Sequence, residues 1–423
     1  MKEHFLHFLW KYKLFEFNQL QSDDGQTVEI VNTGEHNMNA GPDFLNARVK
    51  LNNTTWVGNV EIHVNSNDWN KHQHSLDPNY NNVILHVVEN YEGPVSRETG
   101  EIIPTLKLRY NSSYYDNYFK LVKNTTTFPC AEVIHQVEPF HVFHWFESAA
   151  IERISKKAGY LLQQLKSNKN NWEETFYQAL ARGFGANLNS FPFEALARSI
   201  PLQLVRKNMN SRDTIEALFY GQAGFLEEKL PDLEYHKKLR AEYKYLRNKY
   251  SLMPLPVHLW KFMRLRPMAF PTIRVSQFCD ILINHHHLAK KITETDKLQD
   301  LSKILTGKTS PFWETHYSFI RKHDVEVEKK TGQAFINTIM INTVVPFLFV
   351  YGNECGESKI SDRALEILSQ LPPEKNKITG YWQSAGINPK NALNTQAMIH
   401  VSKEYCNFKK CLSCGIGLKL ISR

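Results

Sequence analysis

Apolar side chains recur at three- and four-residue spacing through Phe5, Phe8, Leu9, Tyr12 and Phe15, a stripe that predicts an amphipathic helix over residues 4–20, packed on the sheet after it. Beyond a polar turn at 22–25 the period falls to two. Residues 28–31 read as a short strand, and 32–39 as a polar loop. Leu45, Ala47, Val49 and Leu51 then alternate with Asn46, Arg48 and Lys50, which predicts a strand over 43–51 closed by an Asn52-Asn53 hairpin turn. In the next strand Val60, Ile62 and Val64 alternate with Glu61, His63 and Asn65, so Glu61 and His63 point the same way. Strict alternation would put Asp43 among the apolar positions, and the preceding Gly41-Pro42 turn places it just outside the ladder instead. Residues 83–88 are apolar on both faces except at His86, the pattern of a buried strand. Residues 102–108 read as an edge strand, where Pro104 is tolerable.

The pattern changes after a polar stretch at 111–127, read as a link. Helical spacing dominates from 140 to about 368, with helices expected near 140–167, 172–184, 190–207, 212–222, 234–250, 274–289 and 331–351. No fixed-period repeat is present. The apolar run at 335–350 is interrupted by Asn337, Asn342 and Pro346, which favours a buried helix over a membrane span. The domains expected are therefore 1–125 (α/β), 126–395 (mainly α-helical) and a cysteine-containing segment at 396–423. At 423 residues, 42% of them hydrophobic, the chain has no difficulty in burying a core. Its amino terminus carries charges through the apolar part and no small-residue cleavage site, so a cytoplasmic location and no membrane partner are expected.

Charge adds one feature. The formal net charge is +8, yet acidic groups outnumber basic ones over residues 1–125, and the basic excess lies on the remainder. A basic domain could hold a polyanion beside an acidic pocket, although an excess of this size also suits an ordinary solvated surface. Arg198, Arg206, Lys207 and Arg212, and then Arg264, Arg266 and Arg274 with Trp260 and Phe262, have the Arg-plus-aromatic composition of a nucleic-acid groove. Arg near helix carboxyl ends and aromatics at core spacing account for them equally well.

The candidate chemistry starts from two carboxylates on neighbouring strands. Asp43 and Glu61 a few ångströms apart would repel unless a hard cation lay between them, and Mg²⁺ or Mn²⁺ suits such oxygen ligands. The alternative is that Glu61 and His63 form a solvated strand face. A third reading is a zinc site from His63, His72, His74 and His86; His72 and His74 share a side only if the chain there is extended, because positions two apart diverge on a helix. At the far end Cys406, Cys411 and Cys414 are spaced C-x4-C-x2-C, a chelating spacing, with Gly415 and Gly417 permitting tight backbone and Lys409 and Lys410 expected to lower the thiol pKa values. A fourth ligand is missing locally. Cys355 is the first candidate, followed by Cys130, Cys279 and His400; zinc is a suitable metal, and a disulfide is the least expected outcome in the cytosol.

Pro42-Asp43 and Glu61-Ile62-His63 resemble the signature of the PD-(D/E)XK nuclease superfamily, with His63 where that superfamily usually has Lys. The expected order of helix, three strands, short helix and strand is also its core order. The resemblance implies a restriction-endonuclease-like core of helix plus mixed sheet, Asp43 and Glu61 as metal ligands, and His63 as the group that orients or deprotonates the attacking water. It further implies an acidic residue from the first helix, Glu3 or Glu16, and an iron–sulfur cluster as an alternative occupant of the late cysteines. Over its length, GPDF, GNVEIH, DW-x2-H-x-H, VILHVV, RP-x3-P-x-IR and YC-x4-C-x2-C resemble one bacterial family known only as a domain of unknown function. The expectation is a metal-dependent nuclease acting on DNA or RNA. The alternatives are a non-catalytic nucleic-acid- or protein-binding protein with the same fold, and a His-ligated zinc hydrolase. Oligomeric state is left open.

Overall fold

In the computed structural model, which describes residues 2–126, 128–228, 230 and 233–423, the amino-terminal apolar stripe forms α1 (Lys2–Lys11) and buries Phe5, Leu6, Phe8, Leu9 and Trp10. The helix ends well short of residue 20. Lys13 adopts a left-handed backbone with φ 53°, and the Leu14 N–H reaches back to the Leu9 carbonyl at 2.8 Å, a five-residue closure that terminates the α-ladder. Five strands follow in one path: β1 (Val28–Asn32), β3 (Phe44–Leu51), β4 (Thr54–Asn65), β5 (Val83–Asn90) and, after a separate pair, β8 (Thr105–Lys107), ordered β1-β3-β4-β5-β8 with β2 (Glu35–His36) on β3. β1 and β4 both run antiparallel to β3, as hairpin connections require. β5 is parallel to β4, because the chain crosses over through α2 (Asp68–Lys71) and two 3₁₀ turns at His74–Leu76 and Pro78–Tyr80. A parallel strand between two others is covered on both faces, which is why residues 83–88 carry an almost continuous apolar run.

Two expectations change. The edge strand read over 102–108 is two strands, β7 (Ile102–Ile103), paired with β6 (Val95–Ser96), and β8, paired with β5; Pro104 lies between them and has no N–H to continue either ladder. The stretch read as a link is mostly α3 (Ser112–Lys123), capped by Asn111, whose side chain accepts from the Ser113 N–H. Its Tyr118 stacks on Phe5, with ring centroids 5.6 Å apart, so tyrosines that read as polar serve as core. Thr127, the end of the expected link, lies outside the described residues.

Contacts divide the chain into two compact units: Met1–Trp145 with Ser384–Gly386 and Val401–Arg423, and Phe146–Gln383 with Ile387–His400. The first unit thus extends past residue 125, and the carboxy-terminal segment folds into it. Ile416, Leu420 and Ile421 are buried there, and the Asn117 side-chain amide donates to the Ile421 carbonyl.

Most of the helices expected beyond residue 140 are present, including Trp172–Phe184, Arg212–Gln222 and Glu234–Tyr250. Proline and polar breaks subdivide the others: 190–207 is Ser190–Ser199 and Leu202–Lys207 around Pro201, and 274–289 is Pro271–Asn284 followed by Leu288–Glu294. The second unit's core includes Phe176, Tyr177, Phe219, Phe278 and Phe347. The span Gln333–Cys355 is the one helix among the described residues long and apolar enough to cross a membrane, and most of its apolar window is buried within the protein. A π-turn at Met340–Val344 precedes Pro346, where the missing N–H relaxes the helical ladder.

Candidate metal centre

The loop before β3 is built to present Asp43. The Asn37 N–H donates to the Asp43 carbonyl at 2.8 Å and the Asn37 side-chain amide to the carbonyls of Ala40 and Pro42, while Gly41 takes φ 101°, a conformation side chains rarely adopt. Just beyond, a register shift between Phe44 and Ala47, with Asn46 at φ 57°, frees Asp43 from the ladder. Asp43 and Glu61 then interlock. The Asp43 N–H donates to Glu61 Oε2 at 3.0 Å, and the Ile62 N–H donates to Asp43 Oδ2 at 2.9 Å. Burial first, and then the Asp43 charge, push the Glu61 carboxyl up to about 9. Without a cation this pair holds a proton at neutral pH.

On its other side Glu61 meets imidazoles. Its Oε1 lies 3.3 Å from His74 Nε2 and 3.5 Å from His63 Nε2, and His63 Nε2 lies 3.2 Å from His72 Nδ1. His63, His72 and His74 each offer a ligand atom within 4.8 Å of the others. His74 Nε2 is buried and makes no hydrogen bond, an orphan that an ion would satisfy. His72 is the exposed member, so the cluster opens to solvent on that side. On a continuous helix His74 would diverge from His72. Instead α2 stops, Gln73 takes a left-handed φ of 59°, and the chain doubles back so that both rings approach His63.

His63 does not have the expected character of a base. Burial, and then the neighbouring His86, His74 and His72, hold it down to about 2, and its Nδ1 lies 2.9 Å from His86 Nε2. An imidazole held this low stays neutral near pH 7 and is a weak base, a character that suits ligation. His86 sits opposite Glu61 in the parallel register and is held down to about 3, chiefly by burial.

The group that sequence reasoning missed is His7 on α1. Its Nε2 stands 3.2 Å from Asp43 Oδ2; burial pulls its pKa down, but Asp43 outweighs this and leaves it raised. No local pattern marks it, because His7 reaches Asp43 only through the docking of α1. Of the two acidic candidates on the first helix, Glu3 shares a cavity with His7 and Asp43, whereas Glu16 lies beyond the helix end and is exposed. Lys409 and Lys410 line the same cavity.

Cys406, Cys411 and Cys414 line a second, small cavity in the same unit, and the fourth cysteine on it is Cys130. Cys355 belongs to the second unit, exposed at the end of the helix Val345–Cys355. Cys279 is buried in that unit's core, and His400, also there, faces Glu152 at 3.0 Å. The lysines do not lower the thiols: burial and then the neighbouring cysteines push Cys406 up, and Cys411 up to about 12, with Lys409 a minor opposing influence. Three residues of the basic clusters of the second unit are ion-paired. Arg198 pairs with Glu194, Arg206 with Glu173, and Arg212 with Asp280, while Arg274 stacks on Phe335 at 3.3 Å.

Mixed sheet, interlocked carboxylate pair and facing imidazoles define an α/β protein with a candidate metal centre, joined in one chain to a helical unit. The chain belongs to the DUF2851 family, described as a protein of unknown function, whose match covers residues 3–377. No curated protein and no solved structure matches it.

Proposed function

We propose that the first unit is a metal-dependent phosphodiesterase that cuts nucleic acid, with Asp43 and Glu61 as its anionic ligands. The observation that carries this reading is the interlocked carboxylate pair, in which Glu61 is held at a pKa near 9 unless a cation replaces its proton. The order helix, three strands, short helix, strand, with antiparallel, antiparallel and parallel pairings, supports the nuclease resemblance. A bound divalent cation would supply Lewis-acid polarisation and a water acidified toward neutrality. The protein's own groups do the rest. His7, kept protonated more readily by Asp43, stands where a positive charge can meet a phosphate oxygen, the role that neutral His63 cannot fill. Lys409 and Lys410, which line the same cavity, suit the flanking phosphates. Nitrogen donors beside Glu61 favour Mn²⁺ or Zn²⁺ over Mg²⁺, which prefers oxygen and water.

One observation favours a second reading. The three imidazoles of His63, His72 and His74, whose ligand atoms lie within 4.8 Å of one another, fit a zinc hydrolase in which Asp43 is not a ligand. The two readings separate when purified protein is incubated with single- and double-stranded DNA and RNA in Mn²⁺, Mg²⁺, Zn²⁺ or EDTA, beside the variants Asp43→Asn, Glu61→Gln and His72→Ala. Cleavage in Mn²⁺ that falls at least about 100-fold in both carboxylate variants supports the phosphodiesterase. Activity that needs zinc and is lost in His72→Ala but kept in Asp43→Asn supports the second reading. No cleavage under any metal, with nucleic-acid binding unchanged in Glu61→Gln, overturns both.

A further inference from the structure

The four cysteines of the first unit come from two places far apart in sequence. Cys130 lies in the turn after α3, where its carbonyl accepts from the Val133 and Ile134 N–H groups at 3.1 and 2.8 Å. Cys406, Cys411 and Cys414 lie on successive short turns, Cys406–Phe408 and Cys411–Ser413, leading into the helix Gly415–Ile421. Their side chains meet on one small cavity. The backbone there is drawn in tightly: a Cβ on Gly417 would stand 2.1 Å from the Cys411 carbonyl oxygen, so only glycine fits. Lys409 takes a left-handed φ of 52° and its ammonium donates to the Val122 carbonyl on α3, so the loop between the thiols is bent back on itself. Four thiols lining one cavity, on irregular turns with little secondary structure of their own, form a donor set suited to soft or borderline metals. The same loop delivers Lys409, Lys410 and Ser413 to the cavity that Asp43 lines.

We propose that Cys130, Cys406, Cys411 and Cys414 are the four thiolate ligands of one metal centre, zinc or an iron–sulfur cluster, which ties the carboxy-terminal segment to the turn after α3 and fixes the Lys409–Lys410 loop on the wall of the Asp43 cavity. On zinc uptake each ligating thiol gives its proton to solvent, and no electron changes hands. The metal claim stands apart from the phosphodiesterase reading, and only the effect on the lysine wall rests on it.

The test uses the full chain in a Glu61→Gln, His72→Ala background, so that the histidine cluster cannot supply the metal, purified under nitrogen without chelator. Metal analysis is expected to find about one zinc in a colourless protein, or about two to four irons in a brown one that absorbs visible light. Either result supports the centre and names its occupant. Cys130→Ser and Cys411→Ser should lose the metal, while Cys355→Ser and Cys279→Ser should keep it. Should the Cys130 variant not fold, titration of the parent with an organomercurial provides the second measurement, and release of the metal in step with about four thiols is expected. A parent chain that holds no zinc or iron even after reconstitution overturns the proposal. So does metal that survives Cys130→Ser but leaves with Cys355→Ser.

Discussion

Glu61 is the residue on which the site's behaviour turns, because it competes for a proton and for a cation at the same oxygen atoms. With its carboxyl at about 9 and His63 already neutral, metal uptake at neutral pH displaces a proton from Glu61 itself. Apparent Mn²⁺ or Zn²⁺ affinity should therefore rise about tenfold per pH unit between pH 6 and 8, measured calorimetrically in buffers of different ionisation enthalpy, and the slope should vanish in Glu61→Gln. The same shift acts on folding. A carboxyl raised from 4.5 to about 9 contributes its stability in full below pH 4.5 and loses it progressively as pH climbs toward 9. Metal-free Glu61→Gln should thus gain on the order of 1–3 kcal/mol over the metal-free parent at pH 8 and little at pH 5, by denaturant titration. An equal effect at both pH values would show that Glu61 is not titrating in this window. The pair Asp43 and Glu61 and the strand neighbour His63 were legible from period alone, because each lies within one or two residues of a turn or an alternation. The chemistry of His63 was not, since its weakness as a base comes first from burial and then from three imidazoles that arrive from outside its strand.

At the scale of elements, the parallel contact of β4 with β5 is what sets Glu61 opposite His86, and at Gly58 the chain before and within β5 approaches β4 closely. A Cβ on Gly58 would sit 2.4 Å from the Ile84 side chain and 2.6 Å from the Asn82 carbonyl oxygen, and the latter is backbone and cannot swing aside. Gly58→Ala should cost about 1–3 kcal/mol by denaturant unfolding and reduce metal affinity with it, since the register carrying Glu61 is displaced. An unchanged midpoint would mean that the strands part at that end without strain. Elements with strong periodicity were readable in advance, from β3 to most of the long helices. Those that failed share a cause: α1 was drawn too long because its apolar spacing outlasts the backbone reversal at Lys13, and α3 was taken for a link because Tyr118 looks polar in sequence and behaves as core against Phe5.

For the whole molecule, the consequential feature is that the last residues return to the first unit. Removing 401–423 strips Ile416, Leu420 and Ile421 from its core and leaves Cys130 without the other three thiols of its cavity. Large-to-small losses in a core cost about 2–5 kcal/mol each, so this truncation exceeds what a domain of that size holds in reserve. Calorimetry should show the first unit's transition abolished in the truncated chain and the second unit's retained; two transitions surviving would place the segment outside the first unit's cooperative core. The ion pairs on Arg198, Arg206 and Arg212 bear on partners at this scale, because an arginine already matched to a carboxylate offers little net charge to a phosphate backbone.

The sequence by itself determined the class of each half, the order of the sheet's main strands along the chain and the placing of Asp43 beside a strand that carries Glu61 and His63. Each of these is written in short-range period or in a turn residue next to it. Only the tertiary structure decided that His72 and His74 face His63, that His7 reaches Asp43, and that Cys130 joins the three late cysteines. Those meetings depend on a single left-handed residue at Gln73, on how α1 docks, and on a return of the chain over more than two hundred residues. Such long-range packing leaves no mark on local spacing.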